Sequence, residues 1–120
     1  FTGTPTLSNA YYTKIGNRVI AQVYLRVLYV SGTHADISIT GFPFTSVAGS
    51  YTQNGSAIGY CDGYTGLTYS QMFSYIGGSS TSASLINGNY QGGVVNVSTS
   101  KIGGGSGAYW IATYVYQTSS

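Results

Sequence analysis

The chain has 120 residues, of which only four are Lys or Arg and two are Asp or Glu, with one histidine and a formal net charge of +2. Ordinary domains carry about 25% charged residues, so proton-transfer pairs, metal-ligating clusters and basic tracts for nucleic acid are all scarce here. Gly, Ser, Thr, Asn and thirteen Tyr take the place of charge, a stock suited to hydrogen bonding and stacking, and so to binding or assembly rather than catalysis.

The length suits one domain, residues 1–120, large enough for a real core. At 42% hydrophobic the chain is too apolar for a disordered polar tract. Apolar runs stay well short of the ~20 residues of a membrane span, so no membrane insertion is expected. The first ten residues show no basic region followed by an apolar block, and no signal peptide is expected. Cys61 stands alone, without an intrachain disulfide partner or a thiolate cage. A small, charge-poor domain without disulfides needs its apolar faces covered, and oligomerisation is the natural route.

In chain order, the first strong pattern is 18–30. Val19, Ala21, Val23, Leu25, Val27 and Tyr29 occupy one face, and the other face is mixed. A period of two with β-branched and aromatic enrichment predicts a long strand with one face in the core. Ile37 and Ile39 predict a short strand, stopped by Gly41 and Pro43. Further strands are predicted at 57–61, 67–76, 83–86, 94–98 and 108–117. In the last, Tyr109, Ile111, Thr113 and Val115 oppose Trp110, Ala112, Tyr114 and Tyr116. Both faces are largely apolar or aromatic, which predicts a place in the middle of a sandwich or against another subunit.

Turn signals separate these runs: Ser31-Gly32, Gln53-Asn54-Gly55, Asp62-Gly63, Gly77-Gly78, Asn87-Gly88-Asn89 and Gly103-Gly104-Gly105. Asn-Gly and Asp-Gly supply the positive-φ residues of tight hairpins. No segment has a helical period. The expectation is an all-β fold, a jelly-roll-like antiparallel β-sandwich of seven to eight strands, assembled as a trimer.

Two motifs are more specific. Tyr11-Tyr12-Thr13-Lys14-Ile15-Gly16-Asn17-Arg18-Val19 leads into the long strand, and Ile37-Ser38-Ile39-Thr40-Gly41-Phe42-Pro43-Phe44-Thr45 follows it. With the closing Ala108-Tyr109-Trp110-Ile111-Ala112-Thr113-Tyr114, they resemble the C-terminal head domains of bacteriophage tail-fibre and receptor-binding proteins. In that family G-x-Y-x-x-x-G-x-x-V and I-x-G-[apolar]-P-F recur around one long strand. Ala10 stands here where such sequences often have Gly, and Phe42 fills the apolar slot before Pro43. The resemblance spans roughly 4–45 and 108–117 and leaves the middle of the chain unplaced. It implies a non-enzymatic, homotrimeric head at the tip of a virion fibre, without a cofactor, that recognises a host cell-surface glycan or protein outside the cell. Residues 1–10 would then lead in from an upstream fibre shaft. Three identical weak sites on one head would gain by avidity on a repetitive surface.

Tyr51, Asn54, Tyr60, Asp62 and Tyr64 form one candidate glycan or receptor site. Tyrosine rings stack on sugar faces, and Asn and Asp meet hydroxyls. The plainer alternative makes the tyrosines strand aromatics and Asp62 a turn residue beside Gly63. Asn87, Asn89, Tyr90 and Gln91 form a second candidate at a predicted hairpin tip. His34 and Asp36 sit in a predicted turn with no G-x-S-x-G elbow to make a triad of them. Asp36 and Asp62 are the only acids, and nothing in their spacing pairs them for glycoside hydrolysis. One His and one Cys cannot build a zinc site in one chain, so no metal is expected. Lys14, Arg18 and Arg26 read as solvent or subunit contacts, and Cys61 as a small buried residue. Other roles compatible with this chain are a structural trimerisation or capsid-decoration module, a polysaccharide depolymerase and a secreted lectin of cellular origin.

Overall fold

The computed structural model describes residues 2–31, 36–48, 55–64, 72–89, 93–98, 100, 102 and 107–119, with the backbone alone at 2–8, 28–31, 55, 89 and 93–95. Among the described residues there are eight strands: β1 (Thr2–Ile15), β2 (Arg18–Ser31), β3 (Ser38–Thr40), β4 (Gly55–Asp62), β5 (Met72–Ile76), β6 (Ser82–Asn89), β7 (Gly93–Asn96) and β8 (Ala108–Gln117). They form two antiparallel sheets, one ordered β1-β2-β8-β4 and the other β3-β6-β5, with β7 also on β6. β3 takes Ser82–Ser84 and β7 takes Ile86–Asn89 along the edge of β6 opposite β5. The architecture is the antiparallel sandwich that the alternation predicts.

The inner faces follow from the period of two. Val19, Ala21 and Val23 of β2 meet Trp110, Ala112, Tyr114 and Tyr116 of β8 in the core, opposite Met72 and Ile76 of β5 and Ala83 and Leu85 of β6. Across the β2–β8 ladder Ala21 pairs with Tyr114, and Ala112, which pairs with Val23, separates Trp110 from Tyr114 along the inner face, so the small residues leave room for the bulky rings. The rings carry polar atoms, and these are satisfied in series. Trp110 Nε1–H donates to the Tyr114 hydroxyl at 3.0 Å, which lies 2.7 Å from Ser74 Oγ, and Ser74 Oγ–H donates to the Ser84 carbonyl at 2.9 Å. Because the Ser74 proton is committed to Ser84, Tyr114 is the donor to Ser74, and one directed chain ties β8 to β5 and β6.

The I-x-G-F-P-F motif also acquires a physical role. Gly41 has φ of 90°, a left-handed conformation that β-carbons disfavour, and it turns the chain after β3. Phe42 then drops between the sheets and packs edge-on to Tyr114 at 5.0 Å and Tyr116 at 6.0 Å. Phe44 is half-buried against the edge of the core, with its ring 5.7 Å from that of Tyr12 and 5.3 Å from the Lys14 ammonium.

Two details depart from the sequence-based expectations, and a third expectation is met where it can be followed. Residues 2–10 form the first part of β1, which pairs with β2 over its whole length. Pro5 sits beside a register shift on this edge strand, where a missing N–H costs least. Asn87-Gly88-Asn89 is not a hairpin tip but the end of β6, with Gly88 opposite Val94 and Asn89 opposite Gly93; the turn signal lost to the ladder. Of the strand predicted at 67–76, Met72–Ile76 is observed, and 67–71 lie outside the described residues.

Candidate functional site

The site is assembled by the outer face of the first sheet. Across the central strands, Arg26, Tyr109 and Asp62 form one row, and Tyr24, Ile111 and Tyr60 form the next. These residues alternate with the core positions of β2 and β8, so burial of Trp110 and Ala112 obliges Tyr109 and Ile111 to face outward. β4 reaches the same face through a bulge. Its register slips between Ile58 and Tyr60, so that Ile58 pairs with Ala112 on the inside and Tyr60 with Ile111 on the outside. A strict period of two would have placed Ile58 and Tyr60 on one face. The extra residue at Gly59 separates them.

Tyr60 is 49% exposed and Ile111 38%. The Tyr60 hydroxyl donates to Asp62 Oδ2 at 3.3 Å. Its ring meets that of Tyr109 at 6.3 Å and 69°, and the Arg26 guanidinium lies over the Tyr109 ring at 5.2 Å. The negative charge of Asp62 is the main cause holding the Tyr60 hydroxyl above the usual phenol pKa, so Tyr60 stays a neutral donor at ordinary pH. Cys61, between them in sequence, points the other way. Burial first and the Asp62 charge second raise its thiol pKa, which makes it a poor nucleophile. Stacking surfaces beside one cation and one carboxylate can hold a ligand that has both apolar faces and hydroxyl groups.

Of the residues proposed from sequence, the structure brings Tyr60 and Asp62 together on this face and adds Arg26, Tyr109 and Tyr24. Tyr64 is buried and bridges to Ile102 inside the molecule, so it is not a loop ring open to ligand. Asn87 is buried too, with Nδ2 directed at the Met72 sulfur at 3.2 Å, so Asn87 itself is not an exposed ligand residue. Asn89 ends β6. Tyr51, Asn54, Tyr90, Gln91 and His34 lie outside the described residues. Asp36 bridges to Ser98, accepts a bond from Asn96 Nδ2 at 3.2 Å and lines a cleft between the sheets. Asp62 stands on the opposite, outer side of the first sheet, so the two carboxylates do not converge. That cleft, about 430 Å³, is lined mainly by apolar residues including Leu25, Ile39 and Trp110. Among the described residues, no three His, Cys, Asp or Glu gather as a metal site, and no helix is long and apolar enough to cross a membrane.

The signal for Tyr109 and Ile111 was present in the sequence as the second apolar face of the last strand. Arg26 carried no comparable mark, because its role depends on the neighbour that β8 supplies.

No protein-family model matches the chain, and no curated protein matches it. Among solved structures the fold is similar to part of the Dettilon tailspike protein, with a TM-score of 0.71 over 97% of this chain at 16% sequence identity. The chain spans about a fifth of that tailspike's length, 21%. What the two share is the fold of a β-sandwich.

Proposed function

We propose that this domain is a phage tail-associated, receptor-binding module that attaches a virion to a bacterial surface glycan through the aromatic outer face of its first sheet. The observation that carries this reading is the conjunction of a sandwich similar to part of a tailspike with a sheet face bearing Tyr24, Tyr60 and Tyr109 among few charges. The motifs around Tyr12 and Phe42 point the same way by their resemblance to fibre heads. Binding without bond cleavage is supported by the sequence, which holds two acids and one histidine. A homotrimer is supported by the rest of the exposed surface. Every described side chain of the edge strand β1 is exposed, with Tyr11 at 65% and Ile15 at 69%, and soluble proteins cover or charge such edges.

The test is direct. Fluorescently labelled domain is incubated with a panel of bacterial strains before and after periodate oxidation of their surface sugars. Periodate-sensitive binding by a species of three protomers in light scattering is the expected result. Absence of binding to any strain would leave the structural-module role, and new reducing ends released from capsular polysaccharide would replace binding by depolymerisation.

A further inference from the structure

The two sheets part at one end of the sandwich, where a cleft of about 430 Å³ remains between them. We propose that this cleft binds a single aliphatic chain with a cationic head group, the chain between the sheets and the head beside Asp36. The site lies on the inner side of the first sheet, so it is independent of the outer aromatic face and of any glycan bound there.

The cleft begins in the alternation of β2. Val19, Ala21, Val23, Leu25 and Val27 share the inward face of that strand. The first three are buried, whereas Leu25 and Val27 are only half-buried. Cover thins along the strand although the apolar pattern does not change. Across the gap, Ile37 and Ile39 beside and within β3 are half-buried as well, and all four aliphatic side chains line the cleft. Trp110 of β8 and Leu85 of β6 line it too and are buried. Inward aliphatic groups left partly in water are surface that an apolar ligand would cover. Small-molecule sites span about 300–1,000 Å³, and an apolar cavity of about 150 Å³ takes one benzene. The space here admits a chain of roughly ten carbons on that scale. A sugar fits the lining poorly, because its hydroxyls would find few partners among aliphatic walls.

The head group follows from charge. Asp36 is the one charged side chain among the described residues that line the cleft. It is exposed, bridges to Ser98 and accepts a bond from Asn96 Nδ2 at 3.2 Å. Asn96 and Ser98 are neutral, so these contacts hold the carboxylate in place without cancelling its charge. A cationic head beside it is attracted, and an anionic head is repelled. For an exposed carboxylate the preference is modest, severalfold in affinity. Burial of the chain supplies the rest.

Trp110 is the single tryptophan of the chain and lines the cleft, so its fluorescence locates a ligand there. The intact domain is titrated with hexyl-, octyl- and decylammonium below their micellar concentrations, and with the matching carboxylates. Decylammonium brominated at its far end is added as a contact quencher. Affinity in the ammonium series is expected to rise about fourfold per methylene, and the bromine is expected to quench Trp110. The carboxylates should bind severalfold more weakly, a difference that Asp36→Asn abolishes. Val27→Phe fills the cleft and should lower affinity tenfold or more. Ile39→Phe takes its place if thermal melts show that variant to be unfolded. Absence of quenching overturns the inference, as does equal binding of the two series to the unaltered domain. Affinity unchanged in a folded cleft-filling variant overturns it too.

Discussion

The two faces of β8 are built from the same kinds of residue and are put to opposite use. On the inner face Trp110, Tyr114 and Tyr116 are almost fully buried, and the Trp110–Tyr114–Ser74–Ser84 chain satisfies polar atoms there. On the outer face Tyr109 and Ile111 are partly open, and the Tyr109 ring meets the Arg26 guanidinium and, edge-on, the Tyr60 ring. Aromatic content alone therefore does not distinguish core from site. What distinguishes them is whether a second layer covers the face. The covered rings contribute stability through area, and the uncovered ones are left to act on a ligand or a partner subunit.

The contrast can be broken first at its strongest point. Trp110→Ala removes the largest buried ring and is expected to cost about 3–5 kcal/mol in urea denaturation, a large part of a typical domain's stability. Gly63→Ala should follow closely. Its φ is +82°, and an added Cβ would stand 2.0 Å from the Gly107 carbonyl oxygen. Backbone strain and overpacking together amount to about 2–4 kcal/mol, readable as a lowered denaturation midpoint. Tyr114→Phe keeps the ring and deletes the hydroxyl that serves both Trp110 and Ser74. A loss of about 1–3 kcal/mol is expected, and combining it with Ser74→Ala should cost less than the sum of the two, since both cut one chain.

The same hydroxyl sharpens the comparison by pH. Burial is the main cause raising the Tyr114 pKa above 10.0 in the folded state. The folded protein therefore keeps a proton that the unfolded chain loses, and this contribution is present below pH 10 and lost as pH rises through the folded value. Stability should fall above about pH 10, and less steeply in Tyr114→Phe, when unfolding is followed against pH in both proteins. The smallest effect is expected outside. Tyr109→Ala loses one exposed cation–π contact worth about 0.5–1 kcal/mol. A loss from Tyr109→Ala approaching that of Trp110→Ala would instead show that this face is covered in solution, as a trimer interface would require.

The legible part of the fold was the alternation. β2 and β8 stand where 18–30 and 108–117 predicted them, because a core-facing period of two is strong in Val19, Ala21, Val23 and in Trp110, Ala112, Tyr114. β1 was missed because it is an edge strand whose described side chains are all exposed, so no burial is written into its pattern. Its hairpin had a local mark in Gly16-Asn17, where Gly16 has φ of 57°, the first position of a tight two-residue turn. Asn87 misled in the opposite sense: Asn-Gly-Asn reads as a turn, but pairing on both edges of β6 and burial beside Met72 outweigh local preference. Two of the five site residues, Tyr60 and Asp62, were readable as ligand-type side chains near a turn. Tyr109 was marked as part of the second apolar face of the last strand, but its meeting with Arg26 was not legible, since the two are 83 positions apart in the chain and meet only through the β2–β8 ladder.

The sequence by itself determined the class of this protein: low charge, period-two apolar spacing and positive-φ turn residues admit strands and exclude helices, because those constraints are local and act within a few residues. Only the tertiary structure decided which aromatic face is covered, where β4 slips at Gly59 to turn Tyr60 outward, and which side chains converge with Asp62. Those outcomes depend on register between distant strands, where displacement by one residue exchanges core for surface.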